Sequence, residues 1–422
     1  MKAARYILAA ILMLAGCRAS LAMTDTMTGI FTDRMRTLQV TDLAGSIFTV
    51  PYVTLGTAEQ LVVSFDELAE DRSYLRYRVL RCDADWRPSS LAESEYLDGF
   101  NESVIEDYDF SRATTVHYVH YSFAFPNADI SPRLSGNYLI QVYGEDDPSE
   151  TLLQVRVMVS EQTADISGEM TSRTDVDYND AHQQLSLRIN TEHAHVADPF
   201  NDLTVVISQN GRADSERALR HPLRMSGPTA VYEHQQPLIF EAGNEYRRFE
   251  ISDVRYPGMG VEDIEYMPPY YHFTLATDAS RAGQGYLYDQ TQHGRFKVRE
   301  YNSSQSDVEA DYAVVHFSLD YPEMDGMSIF LDGDFTQRRF DPASLMTFNR
   351  ATGRYEKAVL LKQGAYNYQY LAVPPGARSG KTSVIEGDKY QTVNEYLVKV
   401  YTRGPLDRTD RLIGVRLMSN VQ

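Results

Sequence analysis

Hydrophobic and polar residues alternate along most of this chain with a period of two. The clearest runs are Leu203–Gln209 (LTVVISQ), Val314–Leu319 (VVHFSL), Tyr366–Ala372 (YNYQYLA) and Tyr396–Tyr401 (YLVKVY). A strand sends successive side chains to opposite faces, so each run reads as a half-buried β-strand. Asn210-Gly211, Asp332-Gly333 and Thr352-Gly353 lie between such runs and read as turns. The best helical candidate, Leu91 to Tyr108, is short, acidic and interrupted by Gly99. The pattern predicts an all-β protein.

Polar breaks divide the chain into three segments: 37–160, 161–300 and 308–422. The stretch Asn302–Asp307 (NSSQSD) reads as a linker before the last of them. Each segment has the length of one immunoglobulin-like β-sandwich, so the sequence predicts three consecutive sandwiches in a row. The first closes with the strand pair Tyr138–Tyr143 and Leu152–Val159, joined by the acidic turn Gly144–Ser149. In the third, Ser328–Phe335 and Tyr355–Tyr368 resemble the early-set sandwiches related to glycogen-binding modules. Those modules stack exposed tryptophans on sugar faces, and this segment has no tryptophan. The resemblance therefore bears on fold rather than on sugar binding.

Residues 1–22 read as a targeting segment. Lys2 and Arg5 precede the apolar run Tyr6–Leu14 (YILAAILML), which is too short to span a membrane. Leu14-Ala15-Gly16-Cys17 resembles a bacterial lipobox, which makes Cys17 the candidate lipidation site. Cleavage after Ser20-Leu21-Ala22 is the alternative, and both imply export. Loss of Lys2 and Arg5 takes the formal net charge from −19 to −21. An acidic surface of this size repels phosphate backbones, so the sequence predicts no nucleic-acid partner. Cys82 is the one thiol left beyond Cys17 and reads as a small buried hydrophobe, with no intramolecular disulfide.

Catalytic constellations are absent from the sequence. Asp175-Val-Asp177-Tyr-Asn179-Asp180 begins like a calcium loop but lacks the turn glycine and the closing glutamate. His193 and His195, and His117 and His120, come in pairs without a third ligand at metal-like spacing. Asp83 and Asp85 are too close along the chain to flank a sugar as acid and base, and read as loop caps. No G-x-S-x-G, Walker or H-E-x-x-H motif occurs. The reading is a non-enzyme with no cofactor and no metal.

Aromatic residues concentrate between Tyr77 and Tyr143, around the chain's single tryptophan. Trp86, followed by Arg87-Pro88, reads as the candidate exposed anchor, and Trp86 with Arg87 as the candidate partner-binding pair, since Trp and Arg dominate interface energetics. The same stretch carries Cys82–Trp86 (CDADW), Tyr96–Phe100 (YLDGF), Phe125–Asn127 (FPN) and Ser135–Tyr138 (SGNY). With Gln209–Arg212, Gly243–Ile251, Tyr390–Tyr396 and Arg408–Gly414 these resemble, in order and spacing, the plug protein family of the Bacteroidetes type IX secretion system. The resemblance implies a non-catalytic periplasmic protein associated with the outer membrane. Its partner would be a giant outer-membrane translocon barrel, whose periplasmic opening it closes when idle. A carbohydrate-binding envelope lipoprotein is the alternative that the third segment and the leader suggest. Mass spectrometry of the mature N-terminus tests the leader: an acylated Cys17 is expected, and an unmodified Met23 would establish simple cleavage after Ala22.

Overall fold

Strand pairing joins segments far apart in sequence, and that decides the architecture. A computed structural model describes residues 25–420; the leader and Cys17 lie outside the described residues. The first sandwich packs two sheets. One has the order Gly29–Ile30, Asp147–Ser160, Gly136–Gly144, Leu75–Cys82, Ser103–Val104, with Tyr52–Thr54 parallel to Asp147–Ser160. The other has the order Met35–Asp42, Leu61–Glu67, Val119–Phe125, Asp107–Phe110. Their inner faces bury Val63, Phe65, Tyr77, Val79, Tyr121, Phe125, Tyr138 and Ile140. The expected closing hairpin is present, with Asn137 opposite Met158 and Gly144 opposite Asp147.

The second sandwich departs from the linear division. Its first sheet, Asp165–Thr171, His182–Asn190, Thr229–Tyr232, Arg224–Ser226, is local. Its second sheet pairs Leu203–Gln209 with Glu395–Thr402, followed by Arg411–Ser419 from the C-terminus. Val205 and Ile207 share one core with Val398, Val400 and Ile413. The third sandwich, from Arg247–Glu250 to Gly364–Val373, is thus inserted between the two parts of the second. The boundaries at 161–300 and 308–422 do not follow the sheets, because alternation marks a strand but not its partner. Asn302–Asp307 is not an interdomain linker. Phe296–Val298 before it and Tyr312–Asp320 after it contribute to the same core, and its last two residues begin a turn of helix, Ser306–Glu309.

Local signals behave as their chemistry requires. Asn210 and Gly211 both take positive φ, 51° and 71°, after strand Leu203–Gln209. Asp332-Gly333 is different: Gly333 is extended and leads into the 3₁₀ turn Asp334–Thr336. The expected helix from Leu91 shrinks to Glu93–Tyr96. It ends where Leu97 turns extended and Leu97–Gly99 pairs as a strand with Ile130–Pro132; Gly99 there has φ of 94° and a virtual Cβ that would lie 1.9 Å from the Asp129 carbonyl oxygen.

The sandwiches form no row, since each touches both others. First and third meet at Asp66, which is fully buried. Its Oδ2 accepts from Lys362 Nζ and from Tyr312 Oη, each at 2.6 Å, and its Oδ1 lies 2.7 Å from His120 Nδ1. The Lys362 ammonium also stands 4.1 Å from the Tyr118 ring centre and donates to the Asp307 carbonyl at 2.6 Å. Burial alone would raise the Asp66 carboxyl, but Lys362 and His120 outweigh it and hold the group below its ordinary 3.8. Second and third meet where Asp214 accepts from the Gly380 backbone and Arg295 pairs with Glu395 at 2.8 Å.

A group held below its unfolded value stabilises the fold fully above that value and loses the contribution as pH falls through the folded one. The stability gap between the wild-type chain and Asp66→Asn is therefore expected to be constant near neutrality and to narrow below about pH 3.8. Lys362→Met strands a buried carboxylate and is expected to cost about 3–5 kcal/mol in urea denaturation. The Asp66→Asn, Lys362→Met double variant should lose less than the sum of the single losses; strict additivity would contradict a coupled pair.

Candidate functional site

The loop Asp83–Arg87 is a tight turn. Trp86 N–H donates to the Asp83 carbonyl and Asp83 N–H to the Arg87 carbonyl, each at 2.9 Å, below the bridge between Cys82 and Pro88. Trp86 sits at φ of 63°, a backbone region that bulky residues rarely occupy. This turn throws the indole inward. Trp86 is 5% exposed, in a cluster with Cys82, Leu139, Met158, Val206, Tyr401, Leu412 and Val415. Those residues come from the first and second sandwiches, so Trp86 is a junction residue and the exposed anchor expected from sequence is corrected. Its neighbour Arg87 is exposed and pairs with Asp85 at 3.2 Å.

Around the indole the junction is strongly polar. Arg156 stacks on Trp86 with its guanidinium carbon 4.3 Å from the ring centre, and burial lowers its basicity. Arg81, 2% exposed, donates to Thr409 Oγ1 and to the carbonyls of Ser135 and Asp410. Arg411 grips Glu161 in a fork at 2.9 and 2.6 Å, and Glu161 accepts from Ser135 at 2.8 Å. Asp83 accepts from Thr409 Oγ1 at 2.6 Å and from the Asp410 backbone at 3.3 Å. Asp85 accepts from the Arg87 backbone at 3.2 Å. Both aspartates therefore serve as caps, and Asp83 does so across the junction.

A cavity of about 270 Å³ opens where the three sandwiches converge. Leu38, Val50 and Trp86 line it from the first, Lys399 and Glu395 from the second, and Phe296 and Arg338 from the third. Its cations are largely answered: Lys399 pairs with Glu216, Arg295 with Glu395, and Arg338 with Asp334. Balanced charge and an apolar wall make this a seam between bodies rather than a reaction centre.

The remaining sequence candidates are placed as follows. Burial pushes the Cys82 thiol up to about 11, and it is fully buried. Asp175 pairs with His234 at 2.9 Å and Asp177 with His182 at 2.7 Å, so the calcium-like loop spends its carboxylates on its own protein. His117 pairs with Glu70 on the surface, while His120 belongs to the Asp66 cluster. His193 and His195 lie in a turn region rather than on a strand. Among the described residues no group of three or more His, Cys, Asp or Glu could hold a metal ion.

Sequence reasoning missed Asp66, Lys362, Arg81 and Arg156. The available signal was register. In Leu61–Glu67 the odd positions Val63 and Phe65 face the core, so Asp66 belongs to the outer face and yet is fully buried. A charged residue buried on an outer face marks an interface with another body.

The family described as type 9 secretion system plug protein 1st domain matches residues 35–161, which is the first sandwich. The crystal structure of a hypothetical protein from Parabacteroides merdae ATCC 43184 aligns with 41% identity and a TM-score of 0.92. That alignment covers 94% of this chain and 100% of the other. A membrane anchored protein from Corynebacterium diphtheriae aligns over 89% of each chain at 6% identity and a TM-score of 0.14, which carries no argument. No curated protein matches.

Trp86→Ala is expected to cost about 3–5 kcal/mol in chemical denaturation, the range for removing a buried aromatic side chain. Arg87→Ala should stay within about 0.5 kcal/mol of the wild type. A Trp86→Ala chain of unchanged stability would contradict the junction role.

Proposed function

We propose that this chain, whose first sandwich matches the type 9 secretion system plug protein 1st domain family over residues 35–161, acts in type 9 secretion and closes the periplasmic opening of the system's outer-membrane translocon when no substrate is in transit. The observation that carries this reading is the mutual locking of three sandwiches through buried charges. A stopper for a wide barrel must hold its shape against a flexible opening. A row of sandwiches joined by linkers would bend, whereas bodies fixed at Asp66–Lys362, at Arg81 and at Arg295–Glu395 resist bending. The insertion of the third sandwich adds two chain crossings between it and the second, which removes a single-hinge motion.

The proposed partner is the giant translocon barrel, met from the periplasm, with the chain associated with the outer membrane through that partner or through a lipid on Cys17. Arg87, exposed and paired with Asp85, is the member of the sequence-predicted pair that lies on the surface where a partner could meet it. No catalytic step is proposed.

Affinity capture from envelope membranes tests the reading. A very large barrel protein is expected to co-purify, and a glycan binder would not bring it down. Deletion of the gene is expected to raise envelope permeability to bulky antibiotics. Unchanged permeability in the deletion strain would count against closure.

A further inference from the structure

The outer face of the third sandwich carries two histidines whose ring nitrogens converge. His272 lies in Tyr270–Leu275 and His316 in Tyr312–Asp320, two strands that run parallel. Phe273, Leu275, Val315 and Phe317 fill the core, so by alternation His272, Thr274, Val314 and His316 point to the opposite face. Pairing sets His272 opposite Val314 and Thr274 opposite His316, a diagonal relation on one face. Across it His272 Nδ1 stands 2.8 Å from His316 Nε2, with the rings stacked 5.1 Å apart at 21°. Both side chains remain partly exposed.

In a neutral pair one of these nitrogens carries the proton and the other accepts it; a tautomer shift that moves that proton to its ring's far nitrogen frees both facing lone pairs for a cation. We propose that His272 Nδ1 and His316 Nε2 form a solvent-open site for a divalent ion that prefers imidazole, of the zinc class, with water completing the coordination. Imidazole nitrogens bind zinc at about 2.0–2.1 Å in a tetrahedral shell, so the two nitrogens need to part by about half an ångström to admit the ion. Glu265, opposite His272 on the next strand, adds a nearby negative charge. The flanking Glu356 lies on the strand that pairs with His316 from the other side.

The site lies where the sandwich is weakly joined. The hairpin of Val261–Met267 and Tyr270–Leu275 forms the sheet margin, and its ladder to the next strand covers four positions, Tyr271 to Thr274. An ion held by His272 and His316 staples that hairpin to the strand Tyr312–Asp320, whose first residue binds Asp66 of the first sandwich. Metal would thereby stiffen the body that the plug reading requires, though the site stands without that reading.

Zinc chloride titrated calorimetrically into the full mature chain tests the proposal. About one equivalent is expected to bind saturably, with a rise in melting temperature. His272→Gln and His316→Gln should each weaken binding at least about tenfold, as loss of a ligand costs no less than loss of its supporting partner. His193→Gln should leave it unchanged. X-ray absorption of the zinc-loaded wild-type chain gives a reading that needs no variant: two imidazole nitrogens at about 2.0–2.1 Å are expected. Absence of saturable binding, undiminished binding in a His272→Gln, His316→Gln chain, or a zinc shell without imidazole would each overturn it.

Discussion

The carboxylate of Asp66 fixes the relation between the first and third sandwiches, and the rest of the arrangement depends on it. It receives an ammonium, a phenol and an imidazole in a site without solvent. A buried charge with fewer partners would be costly enough to force the bodies apart or to be neutralised. With all of them present, the charge specifies one docking pose, because Lys362 and Tyr312 of the third sandwich have to arrive together on a carboxylate that His120 already holds from its own sheet. Lys362 is anchored in the strand that closes the third core, and Tyr312 begins its neighbour. A displacement of the third sandwich therefore breaks several charge-assisted bonds at once.

The second junction works by another chemistry. Its centre is an indole and a phenol among sulfur-bearing and aliphatic side chains, flanked by the arginines Arg81, Arg156 and Arg411. Apolar burial supplies the attraction, and Arg81 and Arg411 set the register. Trp86 pays for its inward aim with an unfavourable backbone conformation, which the turn Asp83–Arg87 and its contacts to Thr409 and Asp410 hold in place. Insertion of the third sandwich into the second ties the remaining pair covalently. Three bodies linked in a closed triangle have far less freedom than three in series.

The strands were legible in the sequence because alternation is a local property. Leu203–Gln209 and the C-terminal run at Tyr396 stand out by inspection, yet nothing in either names the other as its partner. Topology was misread at that point, and the boundary near residue 300 followed from it. Trp86 was misread for a related reason: an aromatic before Arg-Pro in an irregular loop looks like a projecting anchor until a second body covers it. Asp83 and Asp85 as loop caps and Cys82 as a buried thiol were legible, because capping and burial depend on near neighbours. Asp66 and Lys362 were hidden, since their pairing spans almost three hundred positions of sequence.

The match of the first sandwich to the type 9 secretion system plug protein 1st domain and the closed triangle of bodies together support the proposed closure of an opening. That closure is most directly tested by single-channel current through the purified translocon in a planar bilayer, with this protein added from the periplasmic side. The account predicts that the open current falls to a closed level on addition and recovers on washing the protein out. An open current unchanged at saturating protein would contradict it.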